Sequence, residues 1–156
     1  MTTVEHLDLW YRKHAYTGRR DHDHPELEAV RGLRPRLRRL LTSARDAAAV
    51  EANAILAEAG AVPQLVRHDG LDWHIHAVPG DAPLYHRVAV ETAMAMVDVI
   101  RADEHSRLSI CADDACQGLV LDLSRNRSRR FCSTTCTNRN AVAAYRARGR
   151  SRTYDA

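Results

Sequence analysis

Four cysteines fall within 26 residues, as Cys111-x4-Cys116 and Cys132-x3-Cys136, and the chain of 156 residues has no others. Four thiolates in two close pairs suit a tetrahedral zinc shell with every position filled by protein, which is a structural rather than a catalytic arrangement. Two disulfides, an iron–sulfur cluster and a thiol redox switch are the competing readings. A chain expected in a reducing compartment weakens the first, and the absence of a C-x-x-C pair weakens the last. Zinc also answers a folding problem. A segment of about 40 residues with few large apolar groups buries too little to stabilise itself, and structural zinc contributes on the order of 10 kcal/mol or more.

The residues between and after the cysteines supply a scaffold. Arg107 to Ile110 reads as a short extended lead into the cysteines, Leu119-Val120-Leu121 as a short strand, Ser124 to Ser128 as a turn, and Ser133 or Thr134 as the cap of a helix whose first turn carries Cys136. A knuckle, a hairpin and a helix bearing the last ligands make a treble-clef arrangement.

Charge marks the same region. Residues 1–122 hold 14 basic and 19 acidic residues, whereas residues 123–152 hold nine arginines and no acid. A basic end on an acidic body is the layout of an anion-binding module. Arg139, Arg146 and Arg150 fall near one stripe of the expected helix, whose small residues Ala141, Ala143, Ala144 and Ala147 keep it slim enough for a major groove. Arg148 adds charge beside that stripe. Arg125, Arg127, Arg129 and Arg130 on the hairpin would clamp flanking phosphates. Arg139 or Asn138 would read a base edge, or Asn138 would instead bond backbone near the zinc loop. Tyr145 reads as a packing residue. About six arginines on phosphates would give a log-affinity slope against log salt of about −5.

The elements ahead of the cysteines form a body of their own. A short helix is expected within His6 to Arg20. Leu27, Val30, Leu33, Leu37, Leu40 and Leu41 recur at helical spacing, with Pro35 set to kink or split that helix near Arg34. Ser43 or Asp46 would cap a further helix ending at Gly60. Asp69-Gly70 predicts a tight hairpin in which Leu71, Trp73 and Ile75 face the core while Asp72, His74 and His76 point out. A helix over Leu84 to Arg101, broadly apolar, would be the body's centre, and its Val88 to Ile100 stretch the expected dimer surface. At 45% hydrophobic and 28% charged residues, the composition is enough for a true core.

Several motifs together resemble the CGNR zinc-finger family. They are Arg107-Leu-Ser-Ile-Cys111, Cys116, the Leu121 to Asn126 turn, Ser128-Arg-Arg-Phe-Cys-Ser133 and Cys136-Thr-Asn-Arg139, with Ala141 to Arg148 resembling its basic helix. Thr137 stands where the family usually has glycine. In that family the finger usually follows an ABATE domain, thought to be the sensing part of bacterial stress-responsive transcription regulators. The part before the finger is similar to a short ABATE domain, best over the Pro63 to Trp73 hairpin and the long helix after it.

The expectation is an α+β protein: a mostly helical body with a β-hairpin over residues 1–104, then a treble-clef-like four-cysteine finger over residues 105–152. Cys111, Cys116, Cys132 and Cys136 would hold Zn2+, the arginines would meet double-stranded DNA, and the body would sense a signal or form a homodimer. Two rivals stay open: an adaptor docking RNA polymerase or another regulator, and an RNA-binding module. No Gly-rich phosphate loop, nucleophile elbow or metalloprotease motif appears, so no enzyme is expected. No leader or membrane span is expected either, and a bacterial cytoplasm is the expected location. Of the nine histidines, His22 with His24 and His74 with His76 form the close pairs. Asp72 beside the second pair makes the best extra metal site, although solvated histidines explain both.

Overall fold

The computed structural model describes residues 1–68 and 70–152, with the side chains of residues 149–152 outside that description. The chain divides into two compact units, Met1–Asp103 and a second from Glu104 onward.

The first unit is mostly helical. Helix α1 (Val4–Lys13) is capped by the Thr3 hydroxyl, which accepts from the His6 N–H, and it carries Glu5 in its first turn and Arg12 and Lys13 in its last, matching the helix dipole. Helix α2 (His24–Gly32) starts at an Asp23 cap, where the carboxylate accepts from the Glu26 N–H at 2.9 Å. Pro35, with no N–H to continue the ladder, separates α2 from α3 (Arg34–Thr42). Leu33 between them keeps helical dihedrals, so the junction is a break in hydrogen bonding with little loop. Helix α4 (Arg45–Glu58) begins at Ala44 without a side-chain cap. The expected cap, Ser43, donates its hydroxyl back to the Arg39 carbonyl at 2.6 Å, and Asp46 lies inside the first turn.

Helix α5 (Leu84–Arg101) is the centre, as its apolar breadth predicts. It packs against α2, α3 and above all α4, and Ala48 and Ala52 of α4 and Ala89 and Ala93 of α5 are all buried. Leu7, Leu27, Val30, Leu84 and Val88 close a second part of the core, flanked by Trp10, Tyr11 and Tyr16. Val88, Ala89, Val90, Ala93 and Met96 are thus consumed inside the body. Little of the Val88 to Ile100 face remains for the dimer surface expected there.

The hairpin overturns its predicted face. Strands β1 (Gln64–Val66) and β2 (His74–His76) pair antiparallel, with Leu65 opposite Ile75 and Val66 opposite His74. A two-residue turn at Asp69-Gly70 would instead set Val66 against Trp73. Asp69 lies outside the described residues, but the Leu71 N–H donates to the His68 carbonyl at 2.9 Å around Gly70, whose φ is +76°. Because side chains alternate, the one-residue difference turns the whole strand over. Leu71, Trp73 and Ile75 are exposed, Trp73 by 63%, while His74 and His76 lie on the half-buried face.

The second unit is small. A 3-10 turn (His105–Arg107) leads into β3 (Leu108–Ile110), which pairs antiparallel with β4 (Leu119–Leu121). Helix α6 (Thr134–Arg152) follows. Its core is Val120 with Cys111 and Cys136, against Cys116, Phe131 and Cys132. No helix among the described residues is long and apolar enough to cross a membrane.

Candidate metal centre

The β3–β4 hairpin delivers the first two thiols. Its register continues past the strands, with the Cys111 N–H donating to the Gly118 carbonyl at 2.8 Å. Between them Asp113 shapes the knuckle: its carbonyl accepts from the Cys116 N–H at 2.8 Å and its carboxylate from the Ala115 N–H at 3.0 Å. A return loop and the start of α6 deliver the other two. The Ser133 hydroxyl accepts from the Cys136 N–H, which makes it the helix cap.

The four Sγ atoms lie within 4.8 Å of one another. Cys116 and Cys132 are 3.6 Å apart and Cys132 and Cys136 3.8 Å. Zinc–sulfur bonds of about 2.3 Å in a tetrahedron require S···S edges of about 3.8 Å, so the thiols are spaced for that ion. All four cysteines are free and share one cluster. The donor chemistry agrees. Burial pushes the Cys111 thiol up, but backbone contacts from Cys132 and Asp113 outweigh it and bring it to about 7. The thiols of Cys116 and Cys111, followed by burial, push Cys132 up. A thiol that its neighbours push up needs a cation to ionise beside them. The protein is a zinc-binding protein, and these four cysteines are the group spaced to hold the ion.

Several residues that complete the centre escaped the sequence reading. Gly118 presses on it so closely that a Cβ there would stand 2.8 Å from Cys132 Sγ. Two buried carboxylates act as internal braces. Asp113 accepts from Asn140 Nδ2 at 2.9 Å and pairs with Arg139 at 3.0 Å. Asp122 accepts from the N–H groups of Ser124 and Arg129, both at 2.8 Å, and so folds the arginine-bearing turn. Asp113 lies in the knuckle between Cys111 and Cys116 and Asp122 just ahead of the arginine-rich turn, and no periodicity marks either role in advance.

The nine arginine and asparagine positions predicted to meet nucleic acid separate into two groups. Arg139 is tied to Asp113 and lies 3.6 Å from Cys136 Sγ. Arg127 pairs with Glu104 at 3.0 Å and donates to Ser106. Arg129 donates to the carbonyls of Phe131 and Cys132. Arg125, Arg130, Arg146 and Arg148 are exposed and have no ion pair among the described residues; Arg130 lies over the Phe131 ring. Asn138 is exposed, and Asn140 instead makes the finger-bracing bond, also donating to the Cys136 carbonyl at 3.0 Å. The Arg150 side chain lies outside the described residues. Thr137 fits the helix without strain, its hydroxyl donating to the Ser133 carbonyl at 3.1 Å. Tyr145, expected to pack, is 73% exposed.

Comparison with known families agrees with this geometry. Residues 107–149 match the CGNR zinc finger, and residues 1–103 match the ABATE family, described as "Putative stress-induced transcription regulator". No curated protein matches the chain significantly. With the ABATE match covering most of its length and the cysteine cluster set in a CGNR finger, the chain belongs to the ABATE family of regulators and carries a CGNR zinc finger.

Proposed function

We propose that this protein is a DNA-binding transcription regulator whose treble-clef-like finger presents α6 and the β4–α6 loop to duplex DNA, while the body senses or dimerises. The observation that carries the reading is the state of α6. Its first turns are braced by Asp113 and the cysteine cluster, yet residues 141–148 are all exposed. A helix held at one end and exposed over residues 141–148, with Arg146 and Arg148 in no ion pair among the described residues, suits insertion into a groove. Arg125 and Arg130 add exposed charge on the loop ahead of the helix.

The internal pairings of Arg127, Arg129 and Arg139 lower the expected number of phosphate contacts. Four arginines give a log-affinity slope against log salt of about −3.6, and Arg150 as a fifth would bring it to about −4.5. Fluorescence anisotropy with an operator-length duplex over a salt series measures this directly. A slope near zero would sink the reading, and stronger competition by single-stranded RNA would replace it with RNA binding. Alanine at both Arg146 and Arg148 should reduce the slope magnitude by about 1.8 while leaving zinc content unchanged.

A further inference from the structure

The sequence pairs His74 and His76 on alternate positions of β2, so both side chains share one face. The register places that face over the cavity side of the hairpin and brings in His68, two residues beyond Val66 on the partner segment. Asp72, the ligand expected from the sequence, does not join them with its carboxylate. The three Nε2 atoms converge: His74 to His76 is 2.9 Å, and His68 lies 3.2 Å from each. The rings fan outward from that point, with centroids 4.8–5.0 Å apart and planes 61–71° to one another.

We propose that His68, His74 and His76 form a second divalent transition-metal site, within the body, with one coordination position open to the adjacent cavity. Metal–nitrogen bonds of 2.0–2.1 Å in a tetrahedron set N···N edges of about 3.3–3.4 Å, within a few tenths of an ångström of the spacing here. The tautomer of one ligand is already fixed. His74 Nδ1 lies 2.7 Å from the Asp72 carbonyl, and a carbonyl only accepts, so the proton sits on Nδ1 and the Nε2 lone pair faces the cluster. Partial burial and then its two histidine neighbours hold His76 below its ordinary pKa, favouring the neutral form that ligates. Three imidazoles without a thiolate suit zinc, copper, nickel or cobalt, and the tetrahedral spacing favours zinc.

The open position follows from the surroundings. His68 and His76 help to line a cavity of about 600 Å3 together with Gln64, Val66, Gly80 and Arg87. Three neutral ligands leave the site with the full double charge of its ion. A small anion or a metal-bound water is therefore the fitting fourth ligand. The four-cysteine cluster has no such vacancy, so the two sites differ in chemistry: one closed and structural, one open and exchangeable.

The test is metal stoichiometry on the untagged, metal-free full chain, titrated with Zn2+ and separately with Co2+. Two equivalents are expected. One Co2+ should show thiolate charge-transfer absorption, and the other only the weaker visible bands of nitrogen and oxygen ligands. Cys132→Ser should weaken the first and spare the second. His74→Gln should weaken the second by more than about 100-fold, since removing an outer partner alone costs 10- to 100-fold. The triple variant His68→Gln, His74→Gln, His76→Gln should abolish it, with the thiolate signal and the helical circular dichroism as checks that the variant folds. Saturation of the wild-type chain at one equivalent would overturn the proposal. So would a second equivalent that survives the triple variant, since it would lie on other histidines.

Discussion

Replacing Gly118 by alanine tests how tightly the hairpin is fitted around the thiols. Gly118 is not in the left-handed region, so the substitution carries no conformational penalty and its effect is steric. The added Cβ would sit 2.8 Å from Cys132 Sγ, 3.2 Å from Cys132 Cβ and 3.3 Å from Cys116 Sγ. Comfortable carbon contacts begin at about 3.5 Å, so the overlap with the nearest sulfur is about 0.7 Å. The loop cannot retreat freely, because the Gly118 N–H donates to Cys116 Sγ and its carbonyl accepts from the Cys111 N–H. Moving Cys132 instead would stretch the sulfur spacing that the ion requires. Overpacking of this kind costs about 1–3 kcal/mol, which converts to a loss of about 5- to 150-fold in zinc affinity. Competition against a chromophoric chelator at fixed pH reads that affinity. Gly32→Ala is the control, because an added Cβ there meets open space at a helix end. A Gly118→Ala protein that holds zinc within twofold of wild type would refute the steric argument.

Two further predictions concern the body. Arg87 is 3% exposed and donates to the carbonyls of Ala82, Thr17 and Arg19, joining the start of α5 to the segment after α1. Arg87→Leu leaves three acceptors without their charged donor and should cost about 3 kcal/mol or more; a body melting within about 4 °C of wild type would contradict this. Partial burial pushes the Asp8 carboxyl up, but the Arg20 guanidinium and then His22 outweigh it and hold it below its ordinary value. A depressed carboxyl contributes stability that is complete above its unfolded value of about 3.9 and is lost as pH falls through the folded one. Asp8→Asn should therefore destabilise the body at pH 7 and flatten its loss of stability below about pH 4, and melts across that range that keep the wild-type acid slope would exclude the mechanism.

The parts that could be read in advance were those set by local chemistry. Pro35 splits α2 from α3 because proline lacks an N–H, wherever the rest of the chain lies. The α5 boundaries follow from apolar periodicity and the Pro83 before it. The cysteine spacing needed only the ligand preferences of zinc. The hairpin face failed because hydrophobicity was the guide and the register differs by one residue: Leu71, Trp73 and Ile75 are the oilier set, yet it is Gln64, Val66, His68 and His76 that face the cavity. That misreading also concealed the histidine cluster, since His68 joins it only in the observed register. The internal pairings of Arg127 and Arg139 depend on Glu104 and Asp113, each more than 20 residues away in the chain, and no periodicity reports such a contact. Counting arginines therefore measured total charge and overstated the charge available to a partner.

The one-sided anchoring of α6 has a thermodynamic consequence. Starting a helix is the unfavourable step, with a nucleation constant of about 0.001, equivalent to about 4 kcal/mol. In this protein Ser133, Cys136 and the Asp113–Asn140 bond form that first turn as part of the cysteine cluster. Residues 141–148 then only propagate, and their alanine-rich sequence does so at nearly zero cost per residue. Metal occupancy would thus act as an initiation switch for a rod whose residues 141–148 contribute nothing to the finger's core. Removing the ion would remove the nucleus and the helix would melt toward coil, taking the ordered spacing of Arg146 and Arg148 with it.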